Sequence, residues 1–228
     1  LNQINNKLME KKTNNKSIMC ICAHNDDQVI GAGGALAKYA KEGYKIITII
    51  MSFGELGIVH FKEEEARKIR VKESRRADKI LGFERTHYLG LTEGKFAEEI
   101  KIKNIKEKII NIIKKEKPIK IFTHATDDPH PDHRDVNKFV LDIANQIDYK
   151  GEIYSYNIWN FFINFKNRYN PKMVVDITDT FKLKASAFDA HKSQWHARWS
   201  LTWNVYFQAI YYGLKYKTKY AEVFYKLR

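Results

Sequence analysis

Cysteine is scarce in this chain: two in 228 residues, too few for a disulfide framework. No uninterrupted apolar run approaches the roughly 18 residues that a membrane span needs. The N-terminus is polar and lacks the apolar stretch of a signal peptide. Internal repeats and long linkers are absent as well. Arginine is sparse among the cations, with 9 Arg against 31 Lys in a total of 40. Base readout and bidentate phosphate binding favour Arg, so the net charge of +13 reads as a lysine-rich composition more than as a nucleic-acid surface. Residues 1–16 contribute +3 of it and residues 213–228 contribute +4, so over half of the surplus lies at the two ends. These absences lead to the expectation of a soluble, cytoplasmic globular protein without a transmembrane segment. A basic nucleic-acid-binding protein stands as the competing class.

The length suits one domain with a sizeable core. With 44% hydrophobic and 29% charged residues, collagen, a mucin stalk and a wholly disordered chain are excluded. Residues 1–16 read as a disordered tail and residues 17–228 as a single domain. Within it, the patterning predicts strands over Ser17–Ala23, Lys45–Met51, Thr86–Leu89, Ile119–Thr123, Glu152–Asn157, Met173–Ile177 and Tyr220–Tyr225. Helices are expected over Gly31–Gly43, Lys62–Leu81, Glu98–Lys117, Arg134–Ile147, Thr180–Trp195 and about Leu201–Leu214. This alternation implies an α/β, Rossmann-like fold, with a mostly parallel sheet flanked by helices on both faces. In such folds the site lies beyond the carboxyl ends of the strands.

Two loops in those positions are rich in metal ligands. Ala23-His24-Asn25-Asp26-Asp27-Gln28 follows the first strand. Asp127-Asp128-Pro129-His130-Pro131-Asp132-His133-Arg134 follows the fourth. Three N/O ligands with an open fourth position define a catalytic zinc site; His24, Asp27 and His133 could supply them, leaving Asp26 as a spare carboxylate. Taken singly, each loop is also compatible with a turn or a helix cap. Cys20, Cys22 and His24 alternate along one strand face, but same-face neighbours are roughly 6.6 Å apart, too far for a shared zinc, so the cysteines read as buried core. Gly31-Ala32-Gly33-Gly34 lacks the dinucleotide spacing and reads as close packing of a helix against the sheet. Trp195, Trp199, Trp203 and Tyr206 recur near helical periods, and core packing is the reading preferred over sugar stacking.

Ala23-His24-Asn25-Asp26-Asp27, Gly31-Ala32-Gly33-Gly34 and His130-Pro131-Asp132-His133 together resemble the PIG-L/LmbE-like family of zinc-dependent N-acetylglucosaminyl de-N-acetylases. The similarity extends to Arg70 and Glu73 before Leu81-Gly82, to Ala190-His191-Lys192-Ser193-Gln194 and to Tyr220-Ala221-Glu222-Val223-Phe224, covering roughly residues 17–225. Asn25 stands where the family usually has Pro, and Gln28 where it often has an acid.

The resemblance implies a zinc-dependent deacetylase acting on a small N-acetylated amino-sugar conjugate. Glucosaminyl-phosphatidylinositol-like lipids, a glucosaminyl thiol precursor and small chitin oligosaccharides are the candidate substrates. His24, Asp27 and His133 would hold one Zn2+, a set that also accepts iron or other divalent ions. Asp26 would be the general base and a protonated His130 the electrophilic or acid partner. Asp132 would orient His130 or His133. Arg70 and His191 are possible substrate contacts, with a surface pairing to Glu73 and a helix-surface position as their respective alternatives. A family member that binds sugar without hydrolysis is the third functional alternative.

Overall fold

The computed structural model describes residues 14–57, 62–159 and 173–228, apart from the side chains of His196, Ala197 and Trp203. Most of the expected N-terminal tail lies outside the described residues. Among the described residues there are seven strands: β1 (Ser17–Cys22), β2 (Lys45–Ile50), β3 (Arg85–Tyr88), β4 (Pro118–His124), β5 (Glu152–Tyr156), β6 (Met173–Asp176) and β7 (Ala221–Lys226). They form one sheet in the order β3-β2-β1-β4-β5-β7-β6. The first five strands pair in parallel. β7 runs antiparallel to both β5 and β6. The mostly parallel sheet expected from the patterning is therefore what forms.

β1 is buried along its whole length, as a central strand covered on both faces must be. Its pleat divides the core. Ile18 and Cys20 face a cluster built with α1 (Asp27–Lys41), α6 (Phe181–Asp189) and α7 (Trp195–Lys215). Met19 and Ile21 face a second cluster with α3 (Phe96–Ile102), α4 (Ile105–Glu116) and α5 (Pro131–Gln146). The two cysteines are free and buried. α2 (Glu63–Leu81) lies on the first face and packs on α6 and α1.

Three expectations are corrected. The helix expected over Glu98–Lys117 is two helices, because Asn104 adopts a left-handed conformation with φ 53°. The break rotates Ile102 off the apolar stripe, and it is 72% exposed while Ile105, Ile109 and Ile113 are buried. The helix expected over Thr180–Trp195 stops at Asp189, and a short turn around His191 redirects the chain into α7. The tryptophan stripe is not core: Trp195, Trp199 and Tyr206 are exposed, and the Trp203 side chain lies outside the described residues.

The glycine-rich start of α1 lets the helix sit directly on the sheet. A Cβ on Gly31 would lie 2.1 Å from Tyr156 Cδ2, whereas one on Gly33 would meet nothing closer than 3.4 Å. Gly31→Ala is therefore expected to lower the free energy of unfolding by about 1–3 kcal/mol, read from urea melts. Gly33→Ala is expected to hold or raise it, since Ala is the better helix former.

Candidate metal centre and active-site cleft

β1 is flanked by β2 on one side and β4 on the other, so successive connections wind away in opposite directions from the gap between β1 and β4. That is the switch point where ligands bind in open α/β sheets. Both ligand-rich loops begin there. Ala23 N–H donates to His124 Nε2 at 2.9 Å, pinning the end of β1 to the last residue of β4. His24 N–H donates to Asp27 Oδ2 at 2.7 Å, so Asp27 folds back over its own loop. Asp26 occupies the N-cap of α1, but its side chain makes no capping bond, which leaves the carboxylate to face the cleft. On the other loop, His130 caps α5 with Pro131 following. Its Nδ1 accepts the Asp132 N–H at 3.2 Å, and its own N–H donates to Asp128 Oδ1 at 2.9 Å.

Asp27 is the hub. Its Oδ1 lies 3.5 Å from His133 Nε2, and its Oδ2 lies 3.5 Å from His24 Nδ1 and 3.3 Å from His124 Nε2. Donor atoms of His24, Asp27 and His133 all fall within 4.8 Å of one another, and all three residues are buried. Two overlapping sets, His24 with His130 and Asp132, and His124 with Asp128 and His133, meet the same limit. Of the three, His24, Asp27 and His133 is the set in which every member lines the cleft. Both ring nitrogens of His133 are buried without a hydrogen-bond partner, although Nδ1 stands 3.0 Å from Asp128 Oδ1. A divalent cation suits this donor set: borderline nitrogen ligands, one carboxylate, and further carboxylates behind them.

The titration behaviour follows from the crowding. Burial by itself would lower the His24 pKa, but the Asp132 and Asp27 carboxylates outweigh it and hold it at about 10. His133 is held at about 9 against burial by Asp27 and Asp128. Burial would raise the Asp27 carboxyl, but the surrounding imidazoles His133 and His124 hold it well below its ordinary value. His124 is pushed down to about 4 by burial and by His133, so it is a neutral spacer stacked on His133 with ring centroids 3.9 Å apart. Burial, then the charges of His24 and His133, lower His130. That direction runs against the protonated form expected for His130. With Nδ1 accepting from Asp132, its proton sits on Nε2.

The expected supporting residues fall as follows. Of the two rings expected for Asp132, His130 receives its backbone N–H on Nδ1, while its carboxylate turns to His24, with Oδ2 3.2 Å from His24 Nε2 and Gly94 N–H donating to it. Arg70 is not in a surface pair with Glu73. It is buried, with Nη1 3.5 Å from Asp26 Oδ2 and Nε donating to the Phe53 carbonyl. Gly54 makes room for it, since a Cβ there would lie 2.3 Å from Arg70 Nη2 and φ is +69°. Glu73 instead accepts from Ser193 N–H and Oγ–H. His191 is buried rather than on a helix surface, both ring nitrogens lack partners, and it is not among the residues lining the cleft.

At Gln28 the amide donates to the Asn25 carbonyl and to Asp78 Oδ1, and its Oε1 accepts the Cys22 thiol. An acid there would oppose Asp78, whose pKa burial already raises to about 6. The cleft, of about 130 Å³, is also lined by Gln194 of the motif after α6 and by Glu93, Trp159 and Leu201; the last three escaped the sequence reading, as did the roles of His124 and Asp128. Glu93 follows β3, so the carboxyl-end rule was the signal that could have found it.

Residues 19–144 match the sequence profile of the family described as GlcNAc-PI de-N-acetylase, PIG-L. The chain is 28% identical over 210 residues to the diacetylchitobiose deacetylase of Thermococcus kodakarensis, covering 86% of this chain and 76% of that protein. The structure of N,N'-diacetylchitobiose deacetylase from Pyrococcus horikoshii superposes with a TM-score of 0.75 at 26% identity, covering 93% of this chain and 84% of that one. A 4-carboxy-2-hydroxymuconate hydratase from Pseudomonas putida superposes at 0.76 with 20% identity, covering 93% and 96%, a likeness of fold alone.

Metal ligation requires neutral imidazoles, and the metal-free His24 and His133 carry protons at neutral pH. Binding is therefore expected to release about two protons, with apparent affinity rising roughly a hundredfold per pH unit near neutrality and levelling off towards pH 9 to 10. Calorimetry in buffers of different ionisation enthalpy measures the release. Separately, both side-chain polar atoms of Asn25 are buried without partners. Asn25→Pro removes them and is expected to stabilise the fold by about 1 kcal/mol, seen as a raised thermal midpoint.

Proposed function

The chain belongs to the GlcNAc-PI de-N-acetylase (PIG-L) family, and from that premise we propose that it is a metal-dependent hydrolase that removes the acetyl group from an N-acetylglucosamine-type conjugate. The observation that carries this reading is the convergence of buried His24, Asp27 and His133 at a cleft that also presents Asp26 and His130. The three are the proposed ligands, with Zn2+ the first choice and another divalent ion acceptable to the same donors. When bound, the ion would supply Lewis acidity, polarising the acetyl carbonyl and bringing the attacking water's pKa towards about 7.

The chain's own groups perform the proton chemistry. Asp26, held in direction by Arg70, accepts a proton from the attacking water as it adds to the amide carbon. The carbonyl oxygen becomes an oxyanion. His130 donates its Nε2–H to it, a contact of the kind worth about 3–4 kcal/mol in the transition state. The C–N bond breaks as the proton held by Asp26 passes to the leaving nitrogen, giving acetate and a free amine. Asp132 and Asp128 keep His24 and His133 in orientation. Arg70 lines the cleft and is the proposed substrate contact, with a sugar hydroxyl or an anionic substituent as its partner. Relatives named as diacetylchitobiose deacetylases support an amino-sugar substrate of this kind.

The test joins metal analysis with acetate release from a panel of N-acetylglucosamine conjugates that includes N,N'-diacetylchitobiose. The purified chain is expected to carry about one divalent ion and to release acetate. Asp26→Asn should keep the ion and lose roughly a hundredfold or more in kcat, whereas His133→Ala should lose the ion. Acetate release that survives Asp26→Asn unchanged would sink the assignment of the base. Salt-steep binding to DNA or RNA with no acetate release from any conjugate would favour the nucleic-acid alternative; metal and sugar binding without acetate release would favour a non-catalytic member.

A further inference from the structure

One face of α7 has no place in the catalytic reading. Leu201, Val205, Ala209 and Tyr212 are buried on its inner side. Its outer side presents Trp195, Trp199, Tyr206, Ile210, Tyr211 and Leu214, with Trp199 85% and Leu214 76% exposed. Contiguous exposed apolar surface marks an interaction site. The charges along this stretch of chain are predominantly positive. α7 contains no Asp or Glu, and Asp189 is the one acid between residues 181 and 219, against seven Lys or Arg. Asp189 is itself paired with Arg198, and Lys184 is taken up by Glu222. Lys192 precedes the helix, and Lys215, Lys217 and Lys219 close it, all exposed.

We propose that the outer face of α7 docks on an anionic phospholipid surface, its aromatic and aliphatic side chains entering the headgroup region and the lysines at its ends meeting lipid phosphates and carboxylates. Two features select this occupant. Trp and Tyr, which dominate the face, are the residues that settle at membrane–water interfaces. The lysines complement an anionic surface, while a second copy of the chain laid on the same face in either direction would oppose cation to cation with no carboxylate on the helix between them. Gln194 and Leu201, at the start of this segment, line the cleft, so docking sets the cleft mouth beside the bilayer. The inference is independent of the catalytic assignment.

Sedimentation of the full chain with vesicles tests it, using phosphatidylcholine alone and an equal mixture of phosphatidylcholine and phosphatidylserine, at low and high salt. The chain is expected to sediment with the mixed vesicles only, to be released by high salt, and to show a blue shift of tryptophan emission on binding. Joint substitution Trp199→Ser, Ile210→Ser and Leu214→Ser should weaken partitioning by at least about tenfold. Joint substitution Lys215→Glu, Lys217→Glu and Lys219→Glu should weaken it roughly a hundredfold. Neither set touches the cleft, so release of acetate from a water-soluble sugar should be unchanged in both. If the serine variant fails to fold, the charge variant and the emission shift of the parent decide. No association with the mixed vesicles, or equal association with neutral ones, overturns the proposal. So does a parent dimer that the serine substitutions convert to monomer, which would give this face to a second copy.

Discussion

The site depends on the carboxylate of Asp27. Buried at the end of β1, it stands within 3.5 Å of nitrogens on three histidines, His24, His124 and His133. Buried charge is tolerated where it is paired and hydrogen-bonded, and each imidazole here is tied to this acid or to a carboxylate behind it. Deleting Asp27 would leave a stack of buried rings with no common counter-charge. Keeping it without a cation leaves His24 and His133 holding protons in its place. With Asp132 beside His24 and Asp128 beside His133, the centre is locally acidic inside a chain of net charge +13, a setting that suits a divalent cation.

Around that acid the fold divides the work by position. β1 and β4 bring the two loops together, and the Ala23 N–H bond to His124 sets their spacing. α1 and α5 start at those loops, so Asp26 and His130 occupy N-cap positions, and both line the cleft. α2 carries Arg70 beneath the loop after β2, where Gly54 leaves space for the guanidinium. The turn after α6, around His191, ends with Gln194 at the cleft and launches α7, whose inner face closes the core and whose outer face is left to the surroundings.

The two metal-ligand loops were legible because their residues cluster within short segments at strand ends, where local pattern and fold rule agree. The glycines of α1 were legible for the same reason: only a side-chain-free stretch lets Tyr156 approach a helix so closely. Other features were not. Lys103 and Asn104 carry no Gly or Pro to announce a break, yet Asn104 turns left-handed there. His124 read as a residue beyond its strand, since its partners, Ala23 and Asp27, are about a hundred positions away. Glu73 looked like a partner for Arg70 on one helix, but each was claimed by a distant loop. Periodicity recognised an aromatic stripe on α7 and could not say which side of the helix faced the core.

By itself the sequence determined the parallel α/β plan and the switch point as the place to look, and it offered His24, Asp26, Asp27, His130 and His133 as candidates there, because strand patterning and ligand-type residues are local properties. Tertiary structure decided which carboxylate stands beside which imidazole, that Asp132 attends His24 and Asp128 attends His133, and that Trp195 and Trp199 face outward. Those outcomes rest on distances between segments far apart in the chain and on burial, and neither is encoded in the spacing of residues along one segment.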